Sequence, residues 1–190
     1  MSELATLRAA LAARPRETLH LDGFRRAAVL VPVLQGAAGL ELLFTVRASG
    51  LSSHASQISF PGGRVDAGET VDAAAQRETF EEVGLTVPSS ALLGHLDEHP
   101  SPARYIVTPV VAALAWPQTL TLNPAEVADT FTVPLDVLLD LEPYTEERQL
   151  QQYRRLLHFY PYQKRLIWGL TGNVLKSVLD LFRAERVGAG

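Results

Sequence analysis

The chain has 190 residues, of which 47% are hydrophobic and 20% are charged, and its formal net charge is −4. A chain of this length buries roughly 70% of the surface that its unfolded form exposes, which excludes disorder and small disulfide-dependent folds and favours one domain over residues 1–190. The absence of cysteine excludes disulfides, thiolate metal sites and a cysteine nucleophile, and leaves oxygen and imidazole ligands for any metal.

The charge and the apolar runs also restrict the partners. A negative net charge argues against general binding to the backbone of nucleic acids. Apolar runs such as residues 27–34 are far shorter than the ~20 residues of a membrane-spanning helix, and the N-terminal segment is amphipathic rather than typical of a signal peptide. We therefore predict a cytoplasmic protein with no nucleic-acid or membrane partner, and the sequence leaves its oligomeric state open.

Hydrophobic periodicity predicts helices, strands and one prominent glycine turn, in the order helix, strands, helix, strands, helix. The predicted helices cover residues 2–13, 69–83, 135–141 and 168–186, and the predicted strands cover residues 27–34, 40–46, 57–60, 92–96, 105–114 and 149–160. The first two long strands are expected to form a hairpin, Gly84 ends the second helix, and Pro134 opens the third. Because strands and helices do not alternate strictly, an α/β fold with a mixed sheet flanked by helices is favoured over a doubly wound parallel sheet.

The whole net charge is carried by residues 63–85, which hold six acids and two bases, whereas the rest of the chain holds 15 of each. Glu78, Glu81 and Glu82 are spaced i, i+3 and i+4, so on a helix their carboxylates lie about 5–6 Å apart on one face. Their repulsion destabilises an isolated helix by about 0.2–0.5 kcal/mol per pair. A divalent cation would remove that repulsion, and oxygen ligands favour Mg²⁺ or Mn²⁺; a solvated helix face is the alternative interpretation.

An arginine and a glycine turn lie close to this acidic cluster in the sequence and can contribute to the same site. Arg77 lies four residues before Glu81 and can pair with it on the helix; alternatively, it reaches back to Glu69 and connects the preceding loop to the helix. Pro61-Gly62-Gly63 forms a turn with little side-chain bulk, which lets the backbone approach a ligand or a metal closely.

The joint spacing of Gly63, Glu69, Arg77-Glu78, Glu81-Glu82 and Gly84-Leu85 resembles the Nudix box, over residues 63–85. The one departure is Thr79, where the family pattern has a bulky aliphatic residue. The resemblance implies a Nudix-type α/β/α sandwich with a mixed β-sheet and the metal-dependent hydrolysis of a nucleoside diphosphate linked to another group. Mg²⁺ or Mn²⁺ would be the cofactor.

The resemblance also implies roles for the residues of the box. Glu78 and Glu82 are the leading metal ligands, joined by Glu81 and by the carbonyl of Gly63. Glu69 and Arg77 form the structural ion pair of the catalytic apparatus. The base that activates the attacking water is either Glu78 or a distal carboxylate such as Glu126.

Residues 43–63, which begin Leu43-Phe44-Thr45-Val46-Arg47 and end Phe60-Pro61-Gly62-Gly63, resemble the additional motif of the coenzyme A pyrophosphatase branch of this family. Two departures are Ser52, where the motif has a second arginine, and Ser56, where it has glycine. The implied substrate is coenzyme A or a derivative, cleaved to 3′,5′-ADP and 4′-phosphopantetheine, with Arg47 and His54 as substrate contacts. The alternatives are another nucleoside diphosphate derivative, such as ADP-ribose, a nucleotide sugar or a nucleotide, and a non-catalytic binding module of the same fold.

The two tryptophans allow a further hypothesis about the substrate. Trp116 or Trp168 would stack on an adenine ring, or else belong to the hydrophobic core.

Overall fold

The computed structural model describes residues 3–48, 57–149 and 154–188. The helices in these ranges are α1 (Glu3–Ala13), α2 (Val71–Val83), α3 (Leu135–Asp140) and α4 (Gly169–Gly188). The strands are β1 (Arg25–Gly36), β2 (Gly39–Arg47), β3 (Ile58–Ser59), β4 (Gly62–Arg64), β5 (Leu92–His95), β6 (His99–Pro100), β7 (Tyr105–Ala115), β8 (Val127–Pro134), β9 (Tyr144–Gln149), β10 (Arg154–Tyr162) and β11 (Arg165–Ile167). A short 3-10 turn, Ser89–Ala91, precedes β5.

The main sheet is mixed, as predicted. Its central path runs β3-β2-β1-β7-β5, with β4 beside β1, β6 beside β7 and β8 beside β2. β1 and β7 are parallel, whereas β1 and β2 form the predicted antiparallel hairpin, closed where Gly36 pairs with Gly39. The strands β11, β10 and β9 form a separate three-stranded antiparallel sheet.

Alternate side chains of β1 enter two different hydrophobic cores, which places helices on both faces of the sheet. Val31 and Val33 pack in a core with residues of α1, α3 and α4. Ala28, Leu30 and Leu34 pack in the other core with Ala74, Ala75 and Val83 of α2. The predicted α/β/α sandwich with a mixed sheet is therefore confirmed.

Two predicted element boundaries are wrong and one strand was not predicted, each for an identifiable reason. The second helix begins at Val71 rather than at residue 69, because the Thr70 side chain accepts a hydrogen bond from the amide of Ala73 (3.1 Å) and caps the first turn. Gly62 and Gly63 belong to β4, which pairs with β1, and not to a free turn. Strand β8, which pairs with β2 and ends at Pro134, was missed because polar residues interrupt its apolar pattern, whereas α3 begins at Leu135 directly after Pro134, as predicted.

The predicted strand over residues 149–160 divides in the structure. Gln149 ends β9, residues 150–153 lie outside the described residues, and β10 begins at Arg154.

The segment between α1 and β1 is tied to the sheet by the buried carboxylate of Glu98. That carboxylate accepts hydrogen bonds from the amide of Leu19 (2.7 Å) and from the hydroxyl of Thr108 (3.0 Å), and it forms an ion pair with Arg26. Burial alone would raise the pKa of Glu98, but these donors together hold it below its usual value. A fully paired carboxylate thus fixes the start of β1.

No helix among the described residues is both long and apolar enough to cross a membrane.

The partly buried imidazole of His99 on β6 predicts loss of stability in acid. Burial, and then the charge of Arg155, lowers its pKa to about 4, against a weaker opposing effect of Asp97, and its Nε2 atom is inaccessible. The folded state therefore binds this proton more weakly than the unfolded state, so that stability is complete above pH 6.5 and falls as the pH approaches 4. We expect His99 to account for about 1–3 kcal/mol of the loss in unfolding free energy between pH 7 and pH 4.5.

Urea unfolding of the protein and of His99→Gln at both pH values measures this contribution. The pH-dependent loss should be smaller in His99→Gln, and unchanged in the exposed control His20→Gln. An equal loss in all three proteins would contradict the assignment.

Candidate active site

Helix α2 carries the acidic cluster and is fixed at both ends. Thr70 caps its first turn, and Gly84 follows its last residue with φ of 71°, a left-handed conformation that glycine adopts without strain. The amide of Gly84 donates to the carbonyl of Phe80 (2.8 Å). Within the helix, Thr79 is buried and its hydroxyl donates to the carbonyl of Ala75 (2.7 Å), so the departure from the family pattern leaves no unpaired polar group.

Strand β4 brings the backbone against the helix. A Cβ atom on Gly63 would lie 2.4 Å from the carboxyl carbon of Glu78, and one on Gly62 would lie 2.3 Å from the carbonyl oxygen of Ala28. Both positions therefore require glycine for close approach. Phe60, just before the strand, stacks on Phe44 at a centroid distance of 4.8 Å and anchors the chain at this point.

Arg77 connects the loop, the strand and the helix. Its Nε and Nη2 atoms donate to the two carboxylate oxygens of Glu69 (2.9 and 3.0 Å), and Nη2 also donates to the carbonyl of Arg64 (3.0 Å). Its Nη1 atom donates to Glu78 (2.9 Å) and to Glu81 (3.2 Å). The hydrogen bond with Glu69 is the main cause that raises the pKa of Arg77 and lowers that of Glu69. Arg77 thus makes both contacts that the sequence left as alternatives.

Glu82 is the buried member of the cluster, with 4% of its surface exposed. Its carboxylate accepts one hydrogen bond, from the amide of Gly62 (3.2 Å), and the structure gives it no ion pair among the residues it describes. The pKa of Glu82 is raised to about 7, mainly by burial; the Gly62 amide and the charge of Arg47 oppose this shift, while the charges of Glu126 and Glu78 add to it. A buried carboxylate that faces other carboxylates lacks charge compensation.

The segment before β8 places Glu126 beside this carboxylate. The amides of Thr121 and Asn123 donate to the carbonyls of Val83 and Glu82 (both 2.9 Å), so the segment docks on the end of α2. The side-chain amide of Asn123 donates to the carboxylate of Glu126 (3.1 Å) and orients it. Nothing in the sequence pattern indicated the contribution of Asn123.

Arg47, a predicted substrate contact, lies at the end of β2 and acts on the same cluster. The carbonyl of Glu126 accepts from the amide of the next residue, Ala48 (2.8 Å), and the charge of Arg47 lowers the pKa of Glu82. His54, Ser52 and Ser56 lie outside the described residues.

The described carboxylates do not form a finished metal cage. Over residues 3–48, 57–149 and 154–188, no three histidine, aspartate or glutamate side chains surround a common point suited to a metal ion. The physical reason is that Arg77 holds Glu78 and Glu81, whereas Glu82 is directed to the Gly62 amide. The donor set nevertheless consists of hard oxygen ligands around an uncompensated buried charge, which suits Mg²⁺ or Mn²⁺. Metal ligation by Glu78, Glu81, Glu82 and Gly63 stays a prediction.

The tryptophans pack against the protein. Trp168 stacks on Phe159 at 5.6 Å and contacts the guanidinium of Arg148, and Trp116 packs on the core beneath α2. These contacts favour the core interpretation over stacking on adenine.

Replacing Arg77 by lysine tests the connecting role of the guanidinium. A lysine keeps the charge but cannot donate to both oxygens of Glu69 and to the Arg64 carbonyl at once. We expect Arg77→Lys to lower the free energy of unfolding by about 1–3 kcal/mol and to speed amide exchange at residues 66–69.

Arg154→Lys, at an exposed ion pair with Glu147 of β9, is the matched control and should change stability by less than about 0.5 kcal/mol. Equal effects of the two substitutions would show that Arg77 acts only as a surface charge.

Comparison with known proteins agrees with this geometry. The profile of the NUDIX domain family matches residues 24–156. The uncharacterized Nudix hydrolase NudL of Photorhabdus laumondii is 42% identical over 161 residues, which cover 83% of this chain and 84% of that protein. The human mitochondrial coenzyme A diphosphatase NUDT8 is 37% identical over 161 residues, which cover 82% of this chain and 68% of that protein.

A solved structure supports the fold independently of sequence. The crystal structure of a MutT/nudix family protein from Enterococcus faecalis has a TM-score of 0.58 and 13% sequence identity, and the alignment covers 97% of this chain and 74% of that one. Such a low identity shows the fold alone. Together with the family match over most of the chain, it leads to one conclusion: the chain belongs to the Nudix hydrolase family.

Proposed function

We propose that the protein hydrolyses the diphosphate bond of coenzyme A and its derivatives in the presence of Mg²⁺ or Mn²⁺. The observation that carries the proposal is the buried carboxylate of Glu82, which faces Glu78 and Glu126 without an ion-pair partner among the described residues. The substrate is inferred from the motif over residues 43–63 and from the 37% identity to the human coenzyme A diphosphatase.

In the proposed reaction, some residues of the site hold the cation that neutralises charge, and others hold those residues in position. A divalent cation held by Glu78 and Glu82, with Glu81 and the Gly63 carbonyl, would neutralise diphosphate oxygens and acidify a water molecule. Arg77 holds Glu69, Glu78 and Glu81 in place, so that loop, strand and helix keep one geometry. Phosphoryl transfer depends mainly on such positioning and on charge neutralisation.

The reaction requires a base for the attacking water. Water adds to one phosphorus, the bridging P–O bond breaks, and a carboxylate accepts the proton; the products are 3′,5′-ADP and 4′-phosphopantetheine. Glu78, held by Arg77, and Glu126, oriented by Asn123, are the two candidates whose charges act on Glu82.

A second substrate class is favoured by a specific observation. Ser52 replaces the second arginine of the coenzyme A motif, and Ser56 replaces its glycine. Losing an arginine weakens the recognition of a phosphate group. ADP-ribose, a nucleotide sugar or a nucleotide is therefore the alternative substrate of the same site.

We also infer a small-molecule substrate as the main partner and a cytoplasmic location. Both rest on the negative charge and on the absence of cysteine from the sequence.

A substrate screen with Mg²⁺ and with Mn²⁺ tests the proposal. Coenzyme A should be cleaved with the highest kcat/KM among coenzyme A, 3′-dephospho-coenzyme A, ADP-ribose and a dinucleoside polyphosphate, and chromatography should identify 3′,5′-ADP among the products. Chelation of the metal should abolish the reaction. Preferred cleavage of ADP-ribose would overturn the coenzyme A assignment and support the second class.

Glu82→Gln tests the metal-ligand role of the buried carboxylate. The amide oxygen still accepts from the Gly62 amide, and the costly buried charge is removed, so the fold should be retained with unchanged or higher thermal stability. We expect kcat to fall by about 100-fold or more, because the anionic ligand is lost.

Glu147→Gln, an exposed acid of β9, is the matched control and should retain full activity. Full activity of Glu82→Gln at saturating metal would refute the ligand assignment.

A further inference from the structure

An open cavity of about 510 Å³ lies beside the loop that precedes α2, where the start of β1, the end of β4 and the start of β7 meet. Three arginines and two aromatic residues contribute to its wall, together with the loop before α2. Its full lining is Phe24, Arg25, Arg26, Arg64, Val65, Asp66, Ala67, Glu69 and Tyr105.

The pairing of the strands places two of these arginines on one face of the sheet. Arg64 of β4 lies opposite Ala27 of β1, and Arg25, two residues earlier in β1, therefore projects to the same side. Tyr105 pairs with Arg25 across the parallel strands, and the Arg25 guanidinium lies 4.5 Å from the centroid of its ring. The small side chain of Ala27 leaves space between the two arginines.

The charges that line this cavity do not cancel. Arg26 is paired with buried Glu98, and Glu69 and Asp66 both face Arg77, at 2.9 and 3.8 Å. Within the part of the chain that the structure describes, neither Arg25 nor Arg64 has a carboxylate within 4.0 Å of its guanidinium nitrogens. The cavity thus carries two uncompensated guanidinium groups.

The cavity is coupled to the acidic cluster through the backbone of β4. Arg64 follows Gly63, where any Cβ would clash with the Glu78 carboxylate, and the carbonyl of Arg64 accepts from Arg77 (3.0 Å). Arg77 also holds Glu78 at 2.9 Å. The acidic cluster and the cavity therefore share β4, which carries Gly63 at the one and Arg64 at the other.

We propose that Arg25 and Arg64 form a subsite for a phosphate monoester that the substrate carries in addition to its diphosphate. Two guanidinium groups suit a phosphate dianion, because each offers paired N–H donors that match its oxygens. The proposal rests on the proposed coenzyme A hydrolysis, in which this group is the 3′-phosphate. Under this proposal, Arg25 and Arg64 distinguish coenzyme A from its 3′-dephospho form. Both lie outside the motif over residues 43–63, and within that motif Ser52 replaces an arginine.

Kinetics with a matched pair of substrates test the subsite. For Arg25→Gln and Arg64→Gln, kcat/KM for coenzyme A should fall about 10- to 100-fold, mainly through KM, as expected for the loss of a charged hydrogen bond. The kcat/KM for 3′-dephospho-coenzyme A should stay the same. Arg8→Gln, which removes an equal charge from α1, should change neither value. A preference for coenzyme A that is unchanged in both cavity variants would overturn the proposal.

Binding measurements separate this subsite from the hydrolytic activity. By calorimetry with Mg²⁺, the protein should bind adenosine 3′,5′-bisphosphate more tightly than AMP, and both cavity variants should lose that preference. This result without any hydrolysis of coenzyme A would support the subsite and refute the proposed function, whereas hydrolysis without the preference would do the reverse. Inorganic phosphate that binds as tightly as the bisphosphate, and depends on Arg25 and Arg64, would show that the site takes free phosphate and would overturn the substrate-linked role.

Discussion

The guanidinium of Arg77 is the contact on which the candidate site depends. It holds Glu69 in the loop just before α2, the carbonyl of Arg64 at the end of β4, and Glu78 and Glu81 on the helix. Three consecutive segments, the strand, the loop and the helix, are thereby fixed by one planar group with five donors. A lysine offers a single point of charge and cannot meet these acceptors at their different directions, which explains why this position needs arginine on physical grounds.

Two buried glutamates, Glu98 and Glu82, differ in the donors and charges that surround their carboxylates. Glu98 receives donors from Leu19, Arg26 and Thr108, and its pKa is held low although it is buried. Glu82 receives only the Gly62 amide and faces two other acids, and its pKa rises to about 7. A buried carboxylate that is paired with donors and a cation stabilises the fold. A buried carboxylate without an ion-pair partner carries a free-energy cost, which a bound cation would remove. The contrast favours Glu82, and not Glu98, as the metal ligand that we propose.

The sequence predicted the parts of the fold whose pattern is local. The spacing of Glu78, Glu81 and Glu82, the stop at Gly84 and the first hairpin follow from helical and strand periodicity, and the structure has all of them as expected. The strand β4 was not predicted, because Gly62 and Gly63 carry no side chain that would reveal a strand, and only their pairing with Ala28 and Val29 makes one. Asn123 was missed for a related reason: its contact with Glu126 exists only because the segment docks on the end of α2. Long-range docking leaves no periodic signal in a sequence.

The strand β4 contributes both to the acidic cluster and to the arginine-lined cavity, because successive residues of a strand project to opposite faces of the sheet. Gly63 has no Cβ and admits the carboxylate of Glu78 from the side of α2. Arg64, the next residue, faces the other side, beside Ala27 and Arg25. In the two proposals, this pair of adjacent residues contributes to a negative site for a cation on one side of β4 and to a positive site for a phosphate on the other. An elongated anionic ligand bound as proposed would meet opposite charges at its two ends, and each site would attract the part of the ligand or the cation that it suits.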